Sequence, residues 1–307
     1  MNDAYILKNV TSKYGDKVVL NIPELKIEDG KITAIVGPNG SGKTTLLNLL
    51  TFLEMPSSGE IIFKGEKVEE KNIVSLRRRI GFLPQNPYLF HNTVFSNVEA
   101  GLKIRKIPSS ERKMLVKNAL KKVGLLGYEK RPAYKISGGE GQRVALARTI
   151  CTNPEVLILD EPSTYMDKKN IIRTEEIIYE FSREKGKTVV FTSQDLHRAQ
   201  SIADKVLTLF RGELTTASLA NLFHGKITND GKIFDTGRIK IEITSANGDE
   251  THISIDPSNI VISSESLISS MRNSFKGKIT AIIEENGKVR IEVEAGEKFH
   301  AYITKKS

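Results

Sequence analysis

Eight consecutive residues, Gly37-Pro38-Asn39-Gly40-Ser41-Gly42-Lys43-Thr44, carry the spacing G-x-x-x-x-G-K-[ST]. Three glycines let a loop curl without Cβ clashes, so that successive backbone N–H groups converge on an anion. A helix starting near Lys43 adds the positive end of its dipole. Lys43 can then reach the outer phosphates of a nucleotide, and the Thr44 hydroxyl suits a magnesium ion. A bare glycine turn is the bland alternative, and the flanks argue against it. Ile32 to Val36 reads as a short buried strand leading in, and Thr44 to Leu53 as a helix leading out.

Two more clusters offer related chemistry. Ser137-Gly138-Gly139-Glu140 precedes a helix running through Ile150, and presents a hydroxyl, bare amides and a helix dipole to an anion. Val156 to Leu159 is an apolar strand that ends in Asp160-Glu161. A carboxylate at the carboxyl end of a buried strand in an α/β sheet is where Mg²⁺ would be held. A second carboxylate beside it can orient or deprotonate a water. Tyr14, upstream of the glycine loop, could stack on a base; packing on a turn is the other reading.

These residues need an α/β scaffold, and its pieces are readable. Tyr5 to Val10 reads as an edge strand and Thr11 to Asp16 as a turn. Ile61 to Phe63 and Ile80 to Leu83 read as strands, with a short basic helix, Ser75 to Arg79, between them. Ser109 to Val123 is an amphipathic helix with Glu111 in its first turn, Lys121 and Lys122 in its last, and Gly124 as its stop. Lys169 to Lys185 is a further helix. Thr188 to Thr192 and Lys205 to Phe210 are the remaining strands.

With the motifs in this order, residues 1–215 resemble the ATPase subunit of an ABC transporter. The resemblance implies ATP and Mg²⁺ as cofactors, with Tyr14 at the base and Gly37 through Thr44, with Thr45, at the phosphates. It implies Thr44, Gln85 and Asp160 around the metal, Glu161 as catalytic base, and Ser137 to Glu140 as the signature segment, where Glu140 replaces the commoner glutamine. Thr164 to Asp167 falls at the family's D-loop. One departure stands out: Gln194 occupies the place of the switch histidine. An amide can hydrogen-bond a phosphate oxygen but cannot carry charge or relay a proton. His197 falls three residues on, in the next helix. Gln85, Glu161 and Gln194 form the implied catalytic set. The resemblance also implies a homodimer with ATP sandwiched between the phosphate loop of one copy and the signature segment of the other. A separate membrane permease, and indirectly an extracytoplasmic solute-binding protein, complete the implied system at the cytoplasmic face of the membrane.

Beyond residue 220 the pattern changes to period-2 alternation with Asn-Gly turns, which predicts an all-β domain over 220–307. It is internally repeated. Phe223-His224-Gly225-Lys226-Ile227-Thr228 is echoed by Phe275-Lys276-Gly277-Lys278-Ile279-Thr280, and Gly237 to Ile243 by Gly287 to Val293, at offsets of 52 and 50 residues. Two such units could close into one small OB-like barrel. Ser270, Arg272, Asn273 and Lys276 lie in a segment that resembles the oxyanion-binding signature of Mop/TOBE domains. The resemblance implies tungstate or molybdate, bound by hydroxyl, amide and guanidinium donors; a solvated basic face is the alternative. The implied fold is thus an α/β P-loop ABC ATPase domain with a smaller all-β domain.

Composition sets outer bounds. The 307 residues leave room for two domains. No run approaches the ~20 apolar residues of a membrane-spanning helix, and Met1-Asn2-Asp3-Ala4 begins no signal sequence. A single cysteine, Cys151, excludes an internal disulfide. The net charge of +9 is spread over scattered lysines with no stacking motif, which argues against nucleic acid as the partner.

Overall fold

The computed structural model describes residues 2–303, apart from 164–167, 216–219, 229–230, 245, 247–249, 266, 268–269 and 286–287. The expected D-loop and the Asn247-Gly248 turn lie outside the described residues. The chain divides into two compact units, Met1–Thr215 and Thr216–Ser307.

The first unit contains two sheets. Strands β1 (Asp3–Tyr14), β2 (Lys17–Glu28), β4 (Ser58–Phe63) and β5 (Glu66–Lys67) form an antiparallel sheet in the order β2-β1-β4-β5. This corrects two expectations. Tyr5–Val10 belongs to an interior strand, paired on both sides, and Thr11–Tyr14 continues that strand, leaving Gly15-Asp16 as the turn. Strand β2 escapes a period-2 reading because its buried residues Leu20, Ile22, Leu25 and Ile27 change phase around Pro23.

The second sheet has the order β10-β9-β3-β8-β7-β6, built from β3 (Ile32–Val36), β6 (Ile80–Leu83), β7 (Val156–Leu159), β8 (Thr188–Ser193), β9 (Lys205–Phe210) and β10 (Glu213–Thr215). All neighbours are parallel except β9 and β10. Every residue of β3 and β7 is buried, as strands covered on both faces require. The connections carry α1 (Lys43–Leu50), α2 (Ile73–Arg77), α3 (Val94–Ile104), α4 (Ser109–Lys122), α5 (Gly138–Ile150), α6 (Lys168–Arg183) and α7 (Leu196–Ile202). Among the described residues no helix is long and apolar enough to cross a membrane.

The second unit is all-β in its strands. A two-stranded sheet pairs β11 (Leu222–His224) with β15 (His252–Ser254). A three-stranded one joins β12 (Lys226–Thr228), β13 (Ile233–Asp235) and β14 (Lys240–Glu242), and another joins β16 (Lys278–Glu285), β17 (Lys288–Glu294) and β18 (Lys298–Ile303). One apolar core, with Phe223, Phe234, Ile241 and Phe299 at its centre, gathers all three ladders.

Candidate functional site

Four adjacent parallel strands, β3, β8, β7 and β6, end side by side, with Val36 opposite Ser193, Leu159 opposite Phe191 and Leu83 opposite Leu159. Their carboxyl ends deliver the glycine loop, Gln194, Asp160-Glu161 and Gln85 to one edge of the sheet. This is where open α/β sheets bind ligands.

The loop is shaped so that side chains cannot enter it. A Cβ on Gly37 would lie 2.2 Å from the Leu209 carbonyl oxygen, and Gly42, at φ 101°, would meet Leu20. Lys43 is buried and donates to the carbonyls of Gly37 and Pro38 at 2.9 and 3.1 Å. Among the described residues the buried Ser41 Oγ has no hydrogen-bond partner, an orphan donor within the loop itself.

Across the loop, Thr44 Oγ1 donates to Asp160 Oδ2 at 2.9 Å, and Thr192 Oγ1 donates to Asp160 Oδ1 at 2.7 Å. The Glu161 N–H in turn donates to Thr192 Oγ1 at 2.8 Å. Thr192 thus fixes both carboxylate-bearing residues. It is readable in the sequence as a strand end, but its contact with a strand neighbour over thirty residues away is not.

Glu161 is held in the left-handed region at φ 44°, a conformation costing roughly 1 kcal/mol or more for a residue with a Cβ. Among the described residues its side chain gathers Gln85, Gln194 and Lys43. Gln85 Nε2 donates to Oε2 at 3.0 Å, Gln194 Nε2 donates to both oxygens at 2.9 and 2.8 Å, and Lys43 Nζ lies 3.6 Å from Oε1. The structure therefore brings Gln85, Glu161 and Gln194 together. His197 lies in α7; its side chain is outside the described residues.

The glycine cradle, the orphan Ser41 hydroxyl and the Thr44–Asp160 pair fit a magnesium–nucleotide. Thr44, Asp160 and Gln85 carry the oxygen atoms that a Mg²⁺ ion prefers, and such an ion would supply charge neutralisation to the phosphates.

Ser137 to Glu140 forms a complete capping box at α5. Ser137 Oγ accepts from the Glu140 N–H at 3.3 Å, and Glu140 Oε2 accepts from the Ser137 N–H at 2.8 Å. The Tyr128 hydroxyl donates to the other Glu140 oxygen at 2.8 Å. The Ser137 amide and the Tyr128 hydroxyl hold the Glu140 carboxyl below its ordinary range. Glu140 is thus a structural acceptor within its own loop. Among the described residues a Cβ on Gly138 would meet nothing within 4 Å, while one on Gly139 would lie 3.1 Å from Asn170 Nδ2. No hydrogen bond or ion pair among the described residues joins this segment to the phosphate loop. Tyr14 is half-exposed, and its hydroxyl donates to Glu54.

In the second unit Asn273 spends its amide on backbone. It accepts from the Glu242 N–H at 2.7 Å and donates to the Glu242 carbonyl at 2.8 Å, docking the 272–275 segment on the free edge of β14. Arg272 bonds Thr244 Oγ1 at 3.3 Å, while Ser270 and Lys276 are exposed. Beside them a cleft of about 400 Å³ is lined by Lys232, Lys240, Glu242, Arg272, Asn273 and Phe275.

The family model for ABC transporters matches residues 20–164. The chain is 36% identical over 256 residues to an Fe(3+) ion import ATP-binding protein of Haemophilus influenzae, covering 80% of this chain and 77% of that one. It is 31% identical over 283 residues to a molybdate/tungstate import ATP-binding protein of Thermococcus kodakarensis, covering 86% and 84%. Among solved structures, a part of the cbiONQ ABC transporter complex of Clostridium perfringens superposes with a TM-score of 0.65 at 30% identity, over 70% of this chain and 88% of that one. A dimeric bacterial ABC transporter cassette superposes with a TM-score of 0.63 at 31% identity, over 68% and 96%. The chain belongs to the ABC transporter family, as an ATP-hydrolysing ATP-binding subunit of the import type.

Proposed function

We propose that this chain powers the import of a tetrahedral oxyanion, tungstate or molybdate, through a separate membrane permease. In this reading two copies work as a dimer at the membrane surface, and the second unit, 220–307, senses the anion. Tyr14 would carry the base, residues 37–45 the phosphates, and the partner copy's Ser137 to Glu140 segment the far side of the nucleotide. Thr44, Gln85 and Asp160 would hold Mg²⁺. Glu161 would take the proton of the attacking water, with Gln85 and Gln194 holding its carboxylate in place.

The observation that carries the substrate reading is the cationic cleft of the second unit. Arg272, Lys232 and Lys240 line it with one acid among the described lining residues, Glu242, and Asp235 lies 4.0 Å from Lys240, which leaves a net positive charge suited to an anion. Asn273 enters as the residue that docks the segment, and Arg272 as the one that supplies fixed charge. The Thermococcus relative, similar along most of both chains, supports the same reading. A sulfate/thiosulfate import ATP-binding protein of Mycobacterium bovis, 39% identical over 215 residues, supports another solute with a structural β-unit. Calorimetry of tungstate, molybdate and sulfate with the full chain separates the two. Binding of the first two that Arg272→Ala abolishes, with basal ATPase activity kept, is the expected result. Wild-type protein that binds no oxyanion at millimolar concentration rejects the sensor role.

A further inference from the structure

The segment after the phosphate-loop helix turns back on the end of β1. Thr51 caps α1, Phe52 takes a left-handed φ of 58°, and the Leu53 and Glu54 N–H groups return to the Asn48 carbonyl. The Ser57 N–H donates to the Thr11 carbonyl, and the Lys13 N–H donates to Ser57 Oγ. This turn puts the Glu54 carboxylate between two donors. The Tyr14 hydroxyl donates to one oxygen at 2.8 Å, and Asn48 Nδ2 donates to the other at 2.8 Å. Asn48 lies on α1, five residues past Lys43, or about 7.5 Å along the helix axis.

We infer that Glu54 and Asn48 are positioning residues for nucleotide recognition: they tie the Tyr14 ring to the helix that carries the phosphate loop, and so set the spacing between base platform and phosphate cradle. The inference rests on the reading of Tyr14 as the base platform. Tyr14 ends its strand half-exposed, so its ring has an open face but little packing to hold it. A phenol rotates freely about its two side-chain torsions unless its hydroxyl is anchored, and ordering it only on binding would cost affinity. The hydrogen bond to Glu54 also raises the Tyr14 pKa, so the hydroxyl stays protonated and remains a donor.

A set of variants and two ligands test this. Tyr14→Phe keeps the ring and removes the anchor. Glu54→Ala removes it from the other side. Each is expected to raise KM and Kd for ATP roughly five-fold with kcat little changed, the size of one net hydrogen bond. Because Tyr14→Phe already removes the link to Glu54, the double variant should be no worse than Tyr14→Phe. Glu54→Gln keeps an oxygen for the Tyr14 hydroxyl and, with the Asn48 amide flipped, donates to Asn48 Oδ1, so ATP affinity should stay near wild type. Tripolyphosphate, which has no base, should compete equally well with all variants. Tyr14→Ala is the control for the underlying reading. If it weakens ATP while Glu54→Ala does not, the tether is wrong and the platform stands. If Tyr14→Ala leaves ATP affinity unchanged, the platform reading fails and the tether with it. Equal losses of ATP and tripolyphosphate in Glu54→Ala would assign Glu54 to helix stability instead and overturn the tether.

Discussion

Among the described residues one cation and two amides reach the Glu161 carboxylate, and they bear on how the site should respond to change. Replacing its carboxylate with an amide removes the proton acceptor, while a carbonyl oxygen in the place of Oε2 can still accept from Gln85 and Gln194. Glu161→Gln is expected to bind ATP and lose hydrolysis by a factor of roughly 10²–10⁴. Gln194 stands where the sequence resemblance implies a switch histidine, and one nitrogen of its amide spans both Glu161 oxygens. An imidazole can make the same contact but titrates near pH 6.5 or so. Gln194→His is therefore expected to raise the maximal rate and add a pH step near neutrality that the wild-type amide lacks. An unchanged or lower maximal rate in folded, ATP-bound protein would show the glutamine to be a competent substitute. The residues of this cluster were legible because each lies at a motif with fixed spacing. Thr192 and Glu54 were not, because their importance comes from side-chain contacts across sequence distance that no periodicity records.

At the scale of elements, the two sheets of the first unit are joined by Arg79. Its guanidinium takes Glu155 by both oxygens at 2.7 and 3.0 Å, reaches Glu66 of β5 at 2.6 Å, and lies over the Phe63 ring of β4. The Glu155 N–H donates to the Arg79 carbonyl, so the starts of β6 and β7 are held by backbone as well. The fork from Arg79 lowers the Glu155 pKa. A depressed carboxyl contributes stability that is present above its unfolded value, about 4.3, and lost as pH falls through the lower folded value. Thermal melts from pH 7 downward should therefore show an acid limb below pH 4.3 or so, and Glu155→Gln should flatten it. A variant with an unchanged acid limb would place the linkage elsewhere. The buried parallel strands were legible as apolar runs. The antiparallel sheet was legible only in part: Tyr5–Val10 and Ile61–Phe63 read as strands, but β2 changes phase, and only tertiary pairing makes Tyr5–Tyr14 an interior strand. Helix α3 was missed because its organiser, the buried Asn97 that bonds the Phe90 N–H and carbonyl, looks like a loop residue in the sequence.

At the scale of the whole molecule, the phosphate loop and the start of α5 share no hydrogen bond or ion pair among the described residues, and both have the form of an anion site. Two copies, each lending its α5 start to the other's phosphate loop, would complete both. Gly138 makes this testable without disturbing the fold. It opens α5 with free space around a Cβ, and an acid in the first turn of a helix is favourable to the helix itself. Gly138→Asp should therefore fold, yet place a negative charge against the phosphates and stop hydrolysis. Lys43→Ala should stop it at the other site by removing the cation. Mixed, the two inactive chains form dimers in which one site carries both defects and the other carries neither. If the sites form between copies, a one-to-one mixture should regain activity, approaching roughly a quarter of wild type for independent sites under random pairing. If each chain completes its own site, every site in the mixture carries one defect and no activity returns. Recovery that grows with protein concentration ties the effect to dimer formation, and a mixture that stays inactive while its chains exchange freely rejects the shared-site dimer.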